Sequence, residues 1–394
     1  MADWKKELAK FAGRVETKLD EQRDRLGLTG GRVRRARIEA YRSFGCADRA
    51  YVRGRVLRGA PIASAGERDG ALLNLASMLQ RFESDEVPGA RVRVHFPGGE
   101  HEVTADGEGY FECWFQPRPP FAPHALWHEV RMELAHPVEG EPHQALAHLL
   151  VPPEQSAFGV ISDLDDTVVR TDVTSALRMM RNVFLQNART RVPFPGVAAF
   201  YRALEKGAGP TPFNPIFYVS SSPWNLHDLL TEFLVLQKIP LGPLLLRDWG
   251  LTPQGVTPLG GNEDHKLESI RRIMGLFPAL RFILIGDSGQ EDPEIYLRAV
   301  REFPDRVLAV YIRNVHPRPE RADTIRALAL EVEAAGSALL LADDTLAAAR
   351  HAAGRGWIAP GALAEIGAVT SADAPTAESG TEAVNRDLST VGPS

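Results

Sequence analysis

The sequence has few of the features that mark secreted or membrane-spanning proteins. Its 394 residues include only two cysteines, Cys46 and Cys113, too few for a disulfide framework or a cysteine-based zinc site. No apolar run approaches the ~18 residues that a membrane-spanning helix needs. The opening residues, Met-Ala-Asp-Trp-Lys-Lys, are unlike the start of a signal peptide. We therefore expect a soluble, cytoplasmic protein.

The chain does contain enough apolar sequence for real cores. Hydrophobic residues make up 44% of it, and at ~150 residues per domain the length predicts two or three domains. The charge of -6 is unevenly spread. Between residues 31 and 58, nine arginines face only two acids; the arginines are Arg32, Arg34, Arg35, Arg37, Arg42, Arg49, Arg53, Arg55 and Arg58.

This arginine cluster has two interpretations. Concentrated positive charge suggests an anionic partner, either a membrane surface or, less favoured, nucleic acid. The preferred interpretation is a strand with a solvated face, because Arg53 and Arg55 alternate with Val52 and Val56.

Residues 1–152 are predicted to form a helix and a β domain. Apolar residues at helical spacing predict an amphipathic helix within residues 1–30, which we expect to pack on the protein body, with membrane docking as the second use. From residue 31 to 152, alternating segments and Gly-rich turns predict an antiparallel β-sandwich. A helix inserted near Ala71 to Phe82 interrupts it.

Residues 153–366 predict an α/β domain. Short apolar segments alternate with helical patterns, which is typical of a doubly wound parallel sheet with helices on both faces. The predicted strands are Phe158–Ser162, Ile216–Val219, Leu244–Leu246, Phe282–Ile285, Val307–Ile312 and Ala338–Leu341. Residues 367–394 have few large apolar side chains and predict a disordered tail.

The first of these strands ends in acids. Asp163, Asp165, Asp166 and Thr167 follow directly after Phe158–Ser162. In open α/β sheets, ligands bind beyond the carboxyl ends of the strands, so these side chains are placed to act on one. In an extended segment Asp163 and Asp165 leave on the same side, whereas Asp166 points away and is predicted to have a structural role.

Polar residues follow two further strands and open one helix. Ser220, Ser221 and Ser222 come after the second strand and, with the helix start behind them, predict a phosphate cradle. Lys266 opens a helix from which it can reach a bound phosphate. Asp287 and Asp292 follow the strand at Phe282–Ile285, as ligands of an ion would.

Together these residues are consistent with phosphoryl transfer. Mg²⁺ prefers carboxylates, waters and a substrate phosphate, and Asp163 and Asp287 supply the carboxylates. One carboxylate of the first motif attacks phosphorus to form an aspartyl-phosphate, and its neighbour two residues on is the acid and then the base. Ser220 and Lys266 stabilise the transferring group.

Four motifs of this chain resemble, in order, those of the haloacid-dehalogenase superfamily of phosphotransferases. They are Asp163-Leu-Asp165-Asp-Thr167, Ser220, Lys266, and Gly286-Asp287 with Asp292. Three longer segments are similar to the actin-patch-associated phosphatidate phosphatase family and its bacterial relatives. They are Tyr218-Val-Ser-Ser-Ser-Pro-Trp-Asn-Leu226, Pro243-Leu-Leu-Leu-Arg-Asp-Trp-Gly250 and Phe282-Ile-Leu-Ile-Gly-Asp-Ser-Gly-Gln-Glu-Asp-Pro-Glu-Ile-Tyr296.

The resemblance implies a Mg²⁺-dependent phosphatase with a Rossmann-like domain that converts phosphatidate to diacylglycerol, in contact with a membrane surface. By position it implies Asp163 as nucleophile and Asp165 as acid and base. The implied metal ligands are Asp163, Asp165, Asp287 and Asp292; the implied phosphate-binding residues are Thr167, Ser220, Ser221 and Lys266.

Two alternatives remain at this point. One is a phosphatase of soluble phosphomonoesters or phosphoproteins that uses the β domain for docking. The other is a non-catalytic, membrane-associated scaffold, against which the intact pair Asp163 and Asp165 argues.

Overall fold

The structure is a computed structural model. It describes residues 36–58, 86–122, 125–135, 143–165, 167–168, 194–209, 213–247, 249–252, 255–258, 262–315 and 318–372. The predicted N-terminal helix, the predicted inserted helix near residues 71–82 and Asp166 lie outside the described residues. Within the described part, no helix combines the length and the apolar content needed to cross a bilayer.

The N-terminal part forms an eight-stranded sheet, here called the first sheet. Its path runs β1-β3-β2-β8-β7-β4-β5, with β6 paired to β3. All described pairs are antiparallel except β2 with β8. The strands are β1 (Ala36–Ala40), β2 (Ser43–Gly45), β3 (Ala50–Arg58), β4 (Arg91–Phe96), β5 (Gly99–Thr104), β6 (Tyr110–Phe115), β7 (Trp127–Leu134) and β8 (Gln144–Leu150).

Alternating apolar residues of the first sheet meet in one core. Val92 and Val94 of β4 are fully buried, as are Val130 and Met132 of β7, while their chain neighbours point away. This period of two is that of a sheet with one covered face. The predicted antiparallel sheet is confirmed, and its arrangement as a two-layer sandwich stays a prediction.

The prediction of a solvated arginine face is wrong for Arg55. This side chain is only 4% exposed. Its guanidinium donates to the Glu108 carbonyl at 2.9 Å and to Glu86 at 2.9 Å, and it lies over the Tyr110 ring. The physical reason is that Glu86, the Glu108 carbonyl and the Tyr110 ring cover this face of β3 at Arg55.

The C-terminal part contains a six-stranded parallel sheet, in the order β11-β10-β9-β14-β15-β16. From β9 the chain moves outward to β10 and β11 and then returns to the other side of β9, which places a topological switch point between β9 and β14. The strands are β9 (Gly159–Asp163), β10 (Ile216–Pro223), β11 (Leu244–Arg247), β14 (Phe282–Asp287), β15 (Val307–Arg313) and β16 (Leu339–Ala342). All the strands predicted for this domain are confirmed.

Helices cover both faces of the parallel sheet. Val160 of β9 belongs to one apolar core and its neighbour Ile161 to the other, as expected for strands buried on both sides. One face carries α1 (Val197–Lys206), α2 (His227–Leu236), α6 (Thr345–Gly354) and α7 (Ala362–Ala372). The other carries α3 (Asn262–Leu276), α4 (Asp292–Glu302) and α5 (Pro319–Ala334).

Two elements differ from the sequence-based expectations. Helix α7 continues to Ala372, beyond residue 366 where we predicted a disordered tail to begin. Its fully buried Ile366 anchors it to the core, and Ala362 and Leu363 pack against the same core, so these apolar contacts outweigh an unremarkable composition. A two-stranded hairpin, β12 (Trp249–Thr252) with β13 (Gly255–Pro258), was not predicted at all.

The two sheets share an aromatic interface. Phe44 of β2 packs edge-on against Phe217 of β10, with 5.6 Å between ring centroids, and lies 6.4 Å from the ring of Phe277. Arg272 of α3 donates to the Tyr51 hydroxyl at 2.9 Å. The first sheet therefore completes the core of the parallel sheet on this side.

Candidate active site

The predicted site residues meet at the carboxyl edge of the parallel sheet. Asp163 is the last residue of β9, and Asp165 and Thr167 follow it; all three are buried. Since β9 lies between β10 and β14, the ends of those strands bring Ser220 and Asp287 to the same edge. Parallel strand geometry alone thus assembles a site from distant parts of the chain.

Lys266 links two of the carboxylates. Its ammonium Nζ lies 2.8 Å from Oδ1 of Asp163 and 2.5 Å from Oδ1 of Asp292. The lysine is 1% exposed, although it sits near the start of a surface helix, α3. A buried ammonium is tolerated only where opposite charges surround it.

Asp292, the first residue of α4, connects that helix to the end of β14 through a hydrogen bond. Its second oxygen, Oδ2, accepts a hydrogen bond from the backbone N–H of Asp287 at 3.1 Å. Gly286 makes this approach possible, because a Cβ there would lie 2.5 Å from Asp292 Oδ2. Any larger residue at position 286 would displace the carboxylate.

The loop after β14 is held from two directions. Oδ1 of Asp287 accepts the backbone N–H groups of Gly289 at 2.6 Å and Gln290 at 3.0 Å. From α5, Arg321 donates to the carbonyls of Ser288 at 2.9 Å and Gln290 at 2.7 Å. Arg321 was not predicted, because α5 follows β15 and nothing local in the sequence shows that one of its residues reaches back to this loop.

Asp165 is fixed by two serines. Its Oδ2 accepts hydrogen bonds from the hydroxyls of Ser220 at 2.6 Å and Ser222 at 2.9 Å. The backbone N–H of Ser222 donates to Ser220 Oγ at 2.9 Å, which fixes the first hydroxyl in turn. The sequence predicted Ser222 as part of the hydroxyl run after β10, and not as a partner of Asp165.

Among the carboxylate oxygens of the described residues that are buried without a hydrogen bond are Oδ2 of Asp163 and Oδ1 of Asp165. Their partner oxygens are held by Lys266 and by the serines, respectively. Each acid therefore has one oxygen anchored and one available for a ligand.

The charges of the site are strongly coupled. Burial raises the pKa of Asp163, the Lys266 charge lowers it, and Asp292 and Asp287 raise it again, leaving it well above the ordinary aspartate value. For Lys266, burial lowers the pKa, but the charges of Asp163, Asp292 and Asp287 outweigh it and the pKa is raised. Lys266 is thus an ammonium at any physiological pH.

The carboxylates fit a divalent cation. Ligand oxygens of Asp163, Asp287 and Asp292 all lie within 4.8 Å of one another, and all three residues are buried. Three carboxylates facing one ammonium leave negative charge uncompensated, and hard oxygen donors are what Mg²⁺ prefers. The backbone carbonyl of Asp165 accepts a hydrogen bond from the Gln290 side-chain amide at 3.4 Å.

The predicted phosphate-binding residues have different surroundings. Ser220 is turned to Asp165, and Lys266 to Asp163 and Asp292. Ser221 is half-buried, and the hydroxyl of Thr167 is buried without a hydrogen bond within the described residues. The structure brings these residues together, and their roles toward phosphate stay predictions.

A second group of possible ligands lies at the interface with the first sheet. Atoms of Glu39, His227 and Asp228 lie within 4.8 Å of one another. Burial raises the pKa of the Glu39 carboxyl, and the charge of Asp228 and a hydrogen bond with it raise it further, to about 8, against Arg37 and Arg55. With Arg37 only 3.6 Å from Glu39, this group is less suited to a cation than the first.

The sequence of this region matches known proteins. Residues 158–314 match the family model described as "Phosphatidate phosphatase APP1, catalytic domain". Over 157 residues the chain is 36% identical to phosphatidate phosphatase APP1 of Saccharomyces cerevisiae, covering 40% of this chain and 26% of the yeast protein. An uncharacterized protein of Schizosaccharomyces pombe is 28% identical over 165 residues, covering 41% of this chain and 26% of that protein.

The chain spans about a quarter of the length of these curated relatives. Among solved structures, the structure of DsGPDH from Dunaliella salina aligns with this chain at 19% identity, and the alignment covers 44% of this chain and 36% of the DsGPDH chain. Its TM-score of 0.28 is too low to support an argument about the fold. The segment that carries the candidate active site is therefore similar to the catalytic domain of a phosphatidate phosphatase.

Proposed function

We propose that this protein is a Mg²⁺-dependent phosphomonoester phosphatase of the haloacid-dehalogenase type. The observation that carries the proposal is the buried group of Asp163, Lys266, Asp287 and Asp292, with Asp165 held beside it by serine hydroxyls. Buried acids at one sheet edge, each with a defined partner, are typical of a site for a charged ligand.

In the proposed first step, Asp163 is the nucleophile. Its Oδ2 is not hydrogen-bonded within the described residues, while Oδ1 is held by Lys266. Oδ2 attacks phosphorus, an O–P bond forms, and the bond from phosphorus to the leaving alcohol oxygen breaks. The product is an aspartyl-phosphate on Asp163.

Asp165 moves the proton in both steps. Anchoring of its Oδ2 by Ser220 and Ser222 directs Oδ1 toward the reacting group. The protonated carboxyl gives its proton to the leaving alcohol, and the resulting carboxylate then takes a proton from the water that attacks the aspartyl-phosphate. Inorganic phosphate leaves, and Asp163 and Asp165 return to their starting states.

The remaining residues balance charge. Lys266 places a fixed positive charge beside the nucleophile, where negative charge of the transferring phosphoryl group develops. Mg²⁺, held by Asp163, Asp287 and the Asp165 carbonyl, with Asp292 beside them, would neutralise phosphoryl oxygens. Arg321 keeps the loop after β14 in the geometry that presents Asp287.

For the substrate we propose phosphatidate, hydrolysed to diacylglycerol. The support is the 36% identity with a yeast phosphatidate phosphatase over the segment that holds the site. We place the enzyme in the cytoplasm, in keeping with the free thiols of Cys46 and Cys113.

The test is a comparison of the wild type with Asp163→Asn. We expect Mg²⁺-dependent phosphate release from phosphatidate in mixed micelles, abolished by Asp163→Asn and unchanged in Asp323→Asn, which removes an exposed carboxylate on α5. Acid quenching during turnover should trap phosphate on the wild type and on Asp323→Asn, but not on Asp163→Asn. Equal turnover by Asp163→Asn would reject the nucleophile, and faster hydrolysis of soluble phosphomonoesters than of phosphatidate would reject the lipid substrate.

A further inference from the structure

The first sheet carries a pocket that the proposed chemistry does not use. A cavity of about 500 Å³ opens at the end of the sheet where the β2–β3 turn, the β4–β5 turn and the segment after β6 meet. We call it the arginine pocket; it is lined by Arg49, Phe96, His101, Trp114, Phe115 and Arg118. Its volume is in the range of small-molecule sites, ~300–1,000 Å³.

The walls of the arginine pocket are fixed by the backbone. Arg118 donates its N–H to the carbonyl of Pro97 at 2.7 Å, and Phe121 donates to the carbonyl of Ala47 at 2.9 Å. The segment after β6 is thereby attached to both neighbouring turns. Gly98 is needed for this contact: it has φ of 87°, and a Cβ there would lie 2.1 Å from the Arg118 carbonyl oxygen.

The floor is aromatic. Phe96 and Phe115 stack with ring centroids 4.4 Å apart, and the guanidinium of Arg49 lies 4.5 Å above the ring of Trp114. Phe115 is buried, whereas Phe96 and Trp114 are half-buried and present part of their rings to the cavity. An apolar surface is thus held open to solvent beneath a cation.

The charge of the pocket is uncompensated. Among the described residues, neither Arg49 nor Arg118 lies within 4.0 Å of a carboxylate oxygen, and no acid is among those that line the cavity. Elsewhere in the same sheet arginines are paired with glutamates: Arg37 with Glu39, Arg53 with Glu112, Arg55 with Glu86 and Arg93 with Glu133. Two exposed arginines that line one aromatic cavity suit a ligand that has an anionic group and an apolar body.

We propose that the arginine pocket binds the phosphate headgroup of an anionic phospholipid and so holds the protein on a membrane. Arg49 and Arg118 would take the phosphate, and Phe96 and Trp114 the glycerol and ester region behind it, where amphipathic rings favour the membrane interface. The exposed rim of Arg49, His101 and Arg118 leaves the entrance open to a flat surface. The choice of a lipid over a soluble phosphate rests on the proposed function, in which the substrate lies in a bilayer.

The experiment measures co-sedimentation with vesicles of phosphatidylcholine alone and of phosphatidylcholine mixed with phosphatidylglycerol. Phosphatidylglycerol is a phosphodiester, so it is not a substrate for a phosphomonoesterase and is not consumed during the measurement. The wild type should sediment only with the anionic vesicles. The double variant Arg49→Gln, Arg118→Gln should bind them more weakly, by about fivefold for each arginine removed.

The matched control is the double variant Arg91→Gln, Arg326→Gln. It removes two exposed arginines outside the pocket, each paired with an acid. It should bind as the wild type does, and both double variants should keep the wild-type thermal midpoint and rate on a soluble phosphomonoester.

Three results would overturn the proposal. The first is unchanged vesicle binding by the Arg49→Gln, Arg118→Gln variant, and the second is an equal loss of binding in both double variants. The third is displacement of the wild type from vesicles by inorganic phosphate at concentrations on the order of millimolar, which would indicate a site for soluble anions. The first two exclude this pocket and the third excludes the lipid. If the wild type hydrolyses no phosphomonoester, the proposed phosphatase function fails. The vesicle measurement still decides whether the arginine pocket binds anionic lipid.

Discussion

Replacement of Lys266 by methionine tests the charge arrangement of the candidate site. Methionine keeps much of the side-chain volume but removes the ammonium that lies 2.8 Å from Asp163 and 2.5 Å from Asp292. Both carboxylates are at most 1% exposed, so water cannot replace the lost partner. Breaking a buried ion pair from one side costs about 3–5 kcal/mol.

This loss of folding free energy should lower the melting temperature. At about 2–4 °C per kcal/mol for a domain of this size, the Lys266→Met variant should melt about 6–20 °C below the wild type when measured with a chelator. The pKa of Lys266 is raised above its unfolded value of 10.5, so its stabilisation is fully present below pH 10.5 and an assay at neutral pH captures all of it. Phosphatase activity should fall about 10²–10³-fold, as for loss of one donor to a developing negative charge.

The assay is differential scanning calorimetry with and without Mg²⁺, alongside initial rates. Added Mg²⁺ should recover more of the melting temperature in Lys266→Met than in the wild type, because the variant leaves more negative charge uncompensated. Lys206→Met, at an exposed position at the end of α1, is the control and should match the wild type. A Lys266→Met protein with the wild-type melting temperature and rate would refute the charge argument.

Three further changes test other parts of the structure. Glu39→Gln should flatten the pH dependence of stability. The Glu39 carboxyl has a pKa of about 8 in the folded protein, where it shares its proton with Asp228, and 4.5 in the unfolded chain. The stability that it contributes is therefore lost as the pH rises from 4.5 to 8. Arg321→Met should raise the Mg²⁺ concentration for half-maximal activity about 10–100-fold, because it frees the loop after β14. Gly286→Ala should lower stability by about 1–3 kcal/mol and also lower activity, because its Cβ would displace the Asp292 carboxylate.

Each of these has a control or a contradicting result. Parallel curves of melting temperature against pH for Glu39→Gln and the wild type would refute the raised pKa. Arg326→Met removes an exposed arginine of the same helix as Arg321, and an equal shift in Mg²⁺ dependence there would show a general charge effect. Gly275→Ala, in α3 with open space around its Cβ, should be harmless, and a harmless Gly286→Ala would disprove the tight contact.

The parallel sheet and most of the acids could be predicted from the sequence because both depend on local order. Apolar strands of four to eight residues separated by helical patterns specify a parallel sheet, and its geometry brings strand ends together. Asp163, Asp165 and Asp287 lie at or directly after those strand ends, so their proximity follows from topology alone.

The partners of those acids could not be predicted in the same way. Ser222, Arg321 and Gly286 act through close contacts across the site, and spacing along the chain does not specify which acid or loop each of them reaches. Arg55 was misjudged for a related reason: alternation shows that a residue points away from one core, but not that another strand or loop covers it there.

The aromatic contact of Phe44 with Phe217 bears on how such a catalytic domain can be inherited. The segment similar to known phosphatases covers residues 158–314, yet Phe44, Tyr51 and Leu150 belong to the same apolar core as its helices. Excised at those boundaries, the segment would expose Phe217 and Phe277 to water and would also lose β16. The smallest unit that evolution could transfer between proteins, or that could be expressed alone in a cell, is therefore larger than the part whose ancestry is recognisable.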